Sequence, residues 1–310
     1  MSVASVSHLR VRYGKFLAVK DISFELPKGE VFGFIGPNGA GKSSTIKVMA
    51  TLLPKYEGKV EINGINIRRD PDKVRGSIGY VPDFFGVYED LTAEEYLHFF
   101  AAAYRIPMSK RRGVIDDVLA LTDLTHKIKS QVDSLSRGMK QRLSLARVLM
   151  HDPDLLLLDE PASGLDPRAR IEMRELLKAL KEMGKTILIS SHILSELAQL
   201  CTRIGIIEAG ELVAEGSVND IYRQLGIMRI IHVQAANLSE EKAEQARRFS
   251  GVESVELQTD RLAIRLHEDQ KSIEDLHAEL CGLGLRIRMF QPEAMDMETA
   301  FMKLTEGKTA

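Results

Sequence analysis

Between the apolar run Val31-Phe32-Gly33-Phe34-Ile35 and a helical stretch from Ser43 to Leu53 stands Gly36-Pro37-Asn38-Gly39-Ala40-Gly41-Lys42-Ser43, with Ser44 directly after it. This run satisfies G-x-x-x-x-G-K-[ST]. Its glycines let backbone N–H groups turn inward around an anion. A helix beginning at Lys42 aims the positive end of its dipole at the same point. Lys42 can reach the β- and γ-phosphates of a nucleotide, and the Ser43 hydroxyl can ligate Mg²⁺. Such a loop needs a strand to deliver it and a helix to receive it, so an α/β fold is expected.

Two more apolar runs, Leu155 to Leu158 and Thr186 to Ile189, are bounded by turn or charged residues. Strands buried on both faces and separated by helices imply a parallel sheet covered on both sides. The start differs. Leu9 to Arg12, Ile22 to Leu26 and Lys59 to Ile62 alternate with period two, as half-exposed antiparallel strands do. Leu155 to Leu158 runs into Asp159-Glu160-Pro161. A carboxylate at the C-terminal end of a buried strand in a phosphate-binding fold addresses Mg²⁺. Asp159 fits that role through a water, and Glu160 would then face the γ-phosphate and polarise the attacking water. The competing reading is an acidic turn that caps a helix.

Composition removes several classes. Lys+Arg is 42 and Asp+Glu 44, a net charge of -2. That balance speaks against nonspecific nucleic-acid binding, which draws on a basic excess. No stretch approaches the roughly 18 consecutive apolar residues of a membrane-spanning helix. Met1 to Arg12 has no basic start followed by an apolar block, so no secretory signal is expected. Cys201 and Cys281 have no metal-ligand spacing and read as reduced packing residues of a cytosolic protein.

A helical insert is expected from about residue 84 to 135. Thr92-Ala93-Glu94-Glu95 reads as a capping box, and Tyr96, Phe99, Phe100 and Ala103 fall on one helix face. Pro107 is expected to end that helix, Lys110-Arg111-Arg112 to be a solvated connection, and Val114 to Leu121 a second helix. Seven of the 18 aromatics lie between residues 84 and 104. They read as the core of the insert, with Phe84, Phe85 and Tyr88 as candidates for a groove that grips a partner's helix. Beyond residue 224 the pattern becomes strand-helix-strand-strand-helix-strand, the split arrangement of a ferredoxin-like unit, followed by a helix around Met297 to Leu304. Arg261, Arg265, Arg286 and Arg288 line the outward side of two of these strands, to pair with acidic helix residues or to meet an anionic surface. The expected domains are 1–224 and 225–310.

Further motifs stand in order along the first domain. Leu135-Ser136-Arg137-Gly138-Met139-Lys140-Gln141-Arg142 resembles the L-S-G-G-Q signature of ABC (ATP-binding cassette) transporter nucleotide-binding subunits. Ser163-Gly164-Leu165-Asp166 resembles that family's D-loop, and His192 stands where it has a switch histidine. Tyr13 before Gly14 is similar to the aromatic that stacks on adenine, with Phe16 a nearby rival.

The resemblance covers residues 5 to 222. It implies a phosphate-loop NTPase cassette with an antiparallel β subdomain and a helical insert, binding ATP and Mg²⁺. It implies that Ser136 and Gly138 contact the γ-phosphate held by a second cassette, so that a homodimer or a paired cassette sandwiches two ATP molecules. It implies a hydrogen bond from His192 to the γ-phosphate. It also implies a separate transmembrane permease that the cassette serves from the cytoplasmic, inner face of the membrane. A small C-terminal extension fits an exporter. The alternative is a soluble ABC ATPase acting on ribosomes or nucleic acid. Two positions depart from the pattern. Asp83 replaces a glutamine; it can still ligate the metal but cannot donate when ionised. Arg137 replaces a glycine, so its backbone must avoid positive φ.

Overall fold

The computed structural model describes residues 2–83, 86, 90–191, 200–217, 220–221, 228–268 and 270–293. They form two compact units, one ending at Glu215 and one beginning at Gly216.

The first unit begins with an antiparallel pair, β1 (Ser2–Tyr13) and β2 (Phe16–Pro27), later joined by β4 (Glu57–Ile62) and β5 (Ile65–Asn66). Their alternation is that of one-sided strands: Leu9, Val11, Val19 and Ile22 turn inward and pack in one core with Ile46 and Met49. The strands β3 (Val31–Ile35), β7 (Leu155–Asp159) and β8 (Thr186–Ser191) are buried at every position, as their unbroken apolar runs require. With β6 (Ile78–Val81), β9 (Arg203–Glu208) and β10 (Glu211–Gly216) they complete a ten-stranded sheet in the order β5-β4-β1-β2-β10-β9-β3-β8-β7-β6. The last two strands in chain order, β9 and β10, carry no signal that the sequence reading used.

Among the described residues, the α-helices of this unit are α1 (Lys42–Met49), α2 (Pro71–Arg75), α3 (Ala93–Ala103), α4 (Met108–Leu121), α5 (Arg137–Leu149) and α6 (Pro167–Glu182). Three differ from expectation. Helix α1 stops at Met49 rather than Leu53, because Thr51 turns to φ 61°. The capping box at Thr92 is present in both directions, but α3 buries Ala93, Tyr96, Leu97 and Ala101, while Phe99 and Ala103 are exposed. The face is rotated because Phe100 turns toward α5, where its ring meets the Arg147 guanidinium 5.0 Å away. Tyr104 stacks on His151 at 4.3 Å. Pro107 does not end α3, which already stops at Ala103 before Arg105 takes φ 59°; it caps the start of α4. The basic run Lys110-Arg111-Arg112 therefore lies inside α4, where Arg112 bridges Asp116 at 2.9 Å and Glu94 at 3.1 Å. Phe84, Phe85 and Tyr88 lie outside the described residues.

The second unit is built from β11 (Arg229–Ala235), α7 (Glu240–Arg247), β12 (Val252–Leu257), β13 (Leu262–Leu266), α8 (Ile273–Gly282) and β14 (Ile287–Pro292). Its sheet runs β12-β13-β11-β14, every neighbour antiparallel. Ser239 and Ser272 cap the two helices by accepting from Lys242 N and Asp275 N. Ala243, Ala246, Leu276 and Leu280 pack on Ile231, Val233 and Ile264. The partner of Arg265 is Glu256 on the neighbouring strand at 3.9 Å, not a helix residue. Cys201 and Cys281 are both free thiols; Cys281 is exposed and so does not pack. The segment expected as a terminal helix lies outside the described residues.

Candidate nucleotide site

Strands β3, β8, β7 and β6 run parallel, with Ile35 opposite Ser191, Asp159 opposite Ser190 and Val81 opposite Leu158. Their carboxyl ends therefore open on one edge. That edge receives Gly36 after β3, Asp83 after β6, Asp159 and Glu160 at the end of β7, and Ser190 at the end of β8. Crevices of this kind, beyond the strand ends of an open α/β sheet, are where ligands bind.

The loop itself is held tight. A Cβ on Gly36 would stand 2.2 Å from the Ile207 carbonyl oxygen. Gly41 caps α1 at φ 107°, where a Cβ would stand 2.7 Å from the Ala18 carbonyl oxygen. Both positions exclude a side chain. Ala40 N donates to Pro37 O at 3.2 Å, and Ala40 O accepts from Gly210 N at 3.1 Å, which closes the turn over Asn38 and Gly39.

Lys42 is 5 % exposed. Its ammonium donates to Gly36 O at 2.7 Å and to Pro37 O at 3.2 Å, and lies 3.5 Å from Glu160 Oε1. Burial pushes the Lys42 pKa down, and the carboxylates of Glu160 and Asp159 oppose that shift. Ser43 Oγ donates to Asp159 Oδ1 at 2.8 Å, and Ser190 Oγ donates to the same oxygen at 2.8 Å. Ser190 Oγ also accepts from Glu160 N at 3.0 Å. Glu160 sits at φ 51°, a left-handed backbone that costs a non-glycine residue energy and concentrates at functional sites. This turn sends the two consecutive carboxylates to different partners, Asp159 to Ser43 and Glu160 to Lys42.

Tyr13 and Phe16 face each other across the turn between β1 and β2, and both are about half exposed. The Tyr13 hydroxyl lies 3.3 Å from Ser44 Oγ, which ties that ring to the helix behind the loop. Asp83 is exposed just past β6. Burial pushes the nearby Tyr80 phenol up to about 12, with the charges of Asp159 and Asp83 adding to the shift.

Ser136 and Gly138 lie at a second place, the junction of α5 and α6. Ser136 caps α5 by accepting from Met139 N at 3.3 Å. Gly138 admits α6 closely: a Cβ there would stand 2.8 Å from Ala169 Cβ. Arg137 opens the helix with negative φ, as its side chain requires. Its guanidinium lies against Gly164, at φ 66°; a Cβ on Gly164 would stand 2.3 Å from Arg137 Nη1. His192 lies outside the described residues. Two features escaped sequence reasoning: the relay through Ser190, although Ser190-Ser191 follows an apolar strand in plain sight, and the seat of Arg137 on Gly164, which only the fold brings together.

A strand-loop-helix phosphate cradle facing a hydroxyl and two carboxylates defines a phosphate-loop ATPase. A family model described as ABC transporter matches residues 19–163. The linearmycin resistance ATP-binding protein LnrL of Bacillus subtilis (strain 168) is 35% identical over 304 residues, 97% of either chain. The bacitracin transport ATP-binding protein BcrA of Bacillus licheniformis is 40% identical over 215 residues, 69% of either chain. Among solved structures, an ATP-binding subunit of an ABC transporter shares 32% identity at a TM-score of 0.66, covering 73% of this chain and 94% of that one. The chain belongs to the ABC transporter family, among its ATP-binding proteins. It is an ATP-binding ATPase of a transporter, and the relatives favour this over a soluble ATPase of ribosomes or nucleic acid.

Proposed function

We propose that this chain is the ATPase subunit of an exporter: it hydrolyses ATP between paired cassettes and drives a separate transmembrane permease from the cytoplasmic face. The observation that carries the reading is the convergence of Lys42, Ser43, Asp159 and Glu160 on one edge of the sheet. It is supported by a likeness over 97% of the chain to a resistance ATP-binding protein. No helix among the described residues is long and apolar enough to cross a membrane, so the membrane path belongs to another chain in this reading.

Residues 36–44 wrap the phosphates of ATP, and Lys42, already aimed into the loop, supplies a buried cation to the β- and γ-phosphates. Tyr13 supports the adenine ring. The donors fit Mg²⁺: the Ser43 hydroxyl and the Asp159 carboxylate are hard oxygens 2.8 Å apart, with Asp83 a third at the rim. Among the described residues no group of three or more His, Cys, Asp or Glu could hold a metal alone, as suits an ion that shares its shell with water and phosphate. Such an ion supplies charge neutralisation across the phosphates. Glu160 accepts a proton from the attacking water, held in place by Ser190 through its own backbone N–H. Ser136 and Gly138 present the N-terminus of α5 to the γ-phosphate of the partner cassette, and His192 donates to the γ-phosphate in its own cassette.

Glu160→Gln is expected to bind ATP, to lose roughly a hundredfold or more in hydrolysis, and to accumulate as an ATP-bound dimer on gel filtration. Hydrolysis near the parental rate removes Glu160 as the base. Co-purification with a polytopic membrane protein supports the exporter reading; recovery with ribosomes alone overturns it.

A further inference from the structure

Away from the phosphate loop, the outer side of the antiparallel subdomain holds a concavity of about 500 Å³ lined by Arg10, Arg12, Lys20, Lys55, Tyr56 and Glu57, with Leu17. The period-two alternation of β1 separates it from the nucleotide site. Val11 turns inward to the core beside α1, and Tyr13 touches Ser44. Arg10 and Arg12 stand on the opposite face, exposed. Lys20 is bridged to Glu211 at 3.3 Å. Among the described residues, Arg10, Arg12 and Lys55 have no carboxylate partner, although Glu57 sits opposite Arg10 in the β1–β4 ladder. One wall is fixed, because the Arg68 guanidinium stacks 4.3 Å from the Tyr56 ring centroid and donates to the Tyr56 carbonyl.

Arg10, Arg12 and Lys55 line this hollow beside one carboxylate, Glu57, and Lys20 is held by Glu211, so the lining keeps an excess of cations that repel one another. They do so in a chain whose net charge is -2. An anion that bridges them relieves that repulsion and gains charge-assisted hydrogen bonds from two guanidinium forks. The rigid aromatic wall and a volume of about 500 Å³ suit a compact ligand rather than a long polymer.

We infer that this hollow is a second anion site, distinct from the ATP loop, that takes a phosphate-rich group carrying at least two negative charges. Such a group can arrive as a soluble polyphosphate or as the headgroup of an anionic lipid. The test uses the full chain, the Arg10→Glu/Arg12→Glu pair and Lys42→Ala, each titrated with inorganic tripolyphosphate by calorimetry. Lys42→Ala is expected to retain a binding event that the double reversal weakens by roughly tenfold or more, while the double reversal binds ATP like the parent. In parallel, each protein is sedimented with vesicles of phosphatidylglycerol and phosphatidylcholine, and with phosphatidylcholine alone. Sedimentation on the anionic vesicles that the double reversal abolishes identifies a lipid headgroup. Tripolyphosphate binding without such sedimentation identifies a soluble anion. If the double reversal loses ATP binding through misfolding, Lys55→Glu carries the same comparison. Tripolyphosphate binding that disappears in Lys42→Ala and persists in the reversed variants overturns the inference, as does no binding and no sedimentation by the parent.

Discussion

Ser190→Ala removes one oxygen that serves two neighbours. That hydroxyl donates to Asp159 Oδ1 at 2.8 Å and accepts from Glu160 N at 3.0 Å, and both Ser190 and Asp159 are buried. A hydrogen bond to a charged group contributes about 1.5–3 kcal/mol, and a buried N–H left without an acceptor costs about 1–3 kcal/mol. The variant should therefore lose about 2.5–6 kcal/mol. At about 2–4 °C per kcal/mol for a chain of this class, the midpoint of the ATP-free cassette should fall by about 5–24 °C. Turnover should fall further than KM rises, because the N–H being released belongs to the residue that carries the proposed base. Ser190→Thr, which keeps the hydroxyl, should recover most of both losses. Differential scanning fluorimetry and a coupled ATPase assay read the two quantities. A midpoint within about 1 °C of the parent, with turnover unchanged, would refute the relay as drawn here.

Two more outcomes follow from the same edge of the sheet. Asp83→Gln should keep at least part of the ATPase activity, since a glutamine carbonyl could fill the metal-ligand role proposed for Asp83; complete loss in a turnover assay would assign the carboxylate a role beyond that. The Lys42 pKa is lowered by burial from 10.5, and phosphate oxygens favour its charged form. ATP affinity should therefore fall as pH rises through the Lys42 pKa of the free chain, with proton uptake on binding in that range. The stability of the free chain has the opposite sign: the folded state binds fewer protons there than the unfolded one, so stability rises with pH through that window. Titrations of ATP in buffers of different ionisation enthalpy check the first statement, and pH-independent affinity up to 10.5 contradicts it.

Much of the fold was legible in the chain because its strands advertise their environment. Val31 to Ile35 and Leu155 to Leu158 are apolar throughout, and that pattern arises only where both faces are covered. The phosphate loop was legible because backbone sterics demand glycine at 36 and 41, as the Ile207 and Ala18 carbonyl oxygens show. The rotated face of α3 was not. Periodicity places Tyr96, Phe99, Phe100 and Ala103 on one side, but a broad apolar surface lets tertiary partners such as Arg147 choose the angle. Pro107 misled for a related reason: proline marks a helix boundary without saying which helix, and the break was made by Arg105. The Ser190 relay was invisible because register between β7 and β8 is a property of two segments, not of either.

The seat of Arg137 on Gly164 makes the two positions a lock and its keyway. The large side chain at 137 fits because position 164 has none. Arg137 is exposed, so a smaller group there yields the space above the turn to solvent, whereas any side chain at 164 displaces the guanidinium and must also adopt φ 66°. The effect of changing either position therefore depends on which residue occupies the other, and its sign cannot be assigned one substitution at a time. A mutational scan that varies single positions would score Gly164 as intolerant and Arg137 as permissive. Only a paired library would reveal that they occupy one volume.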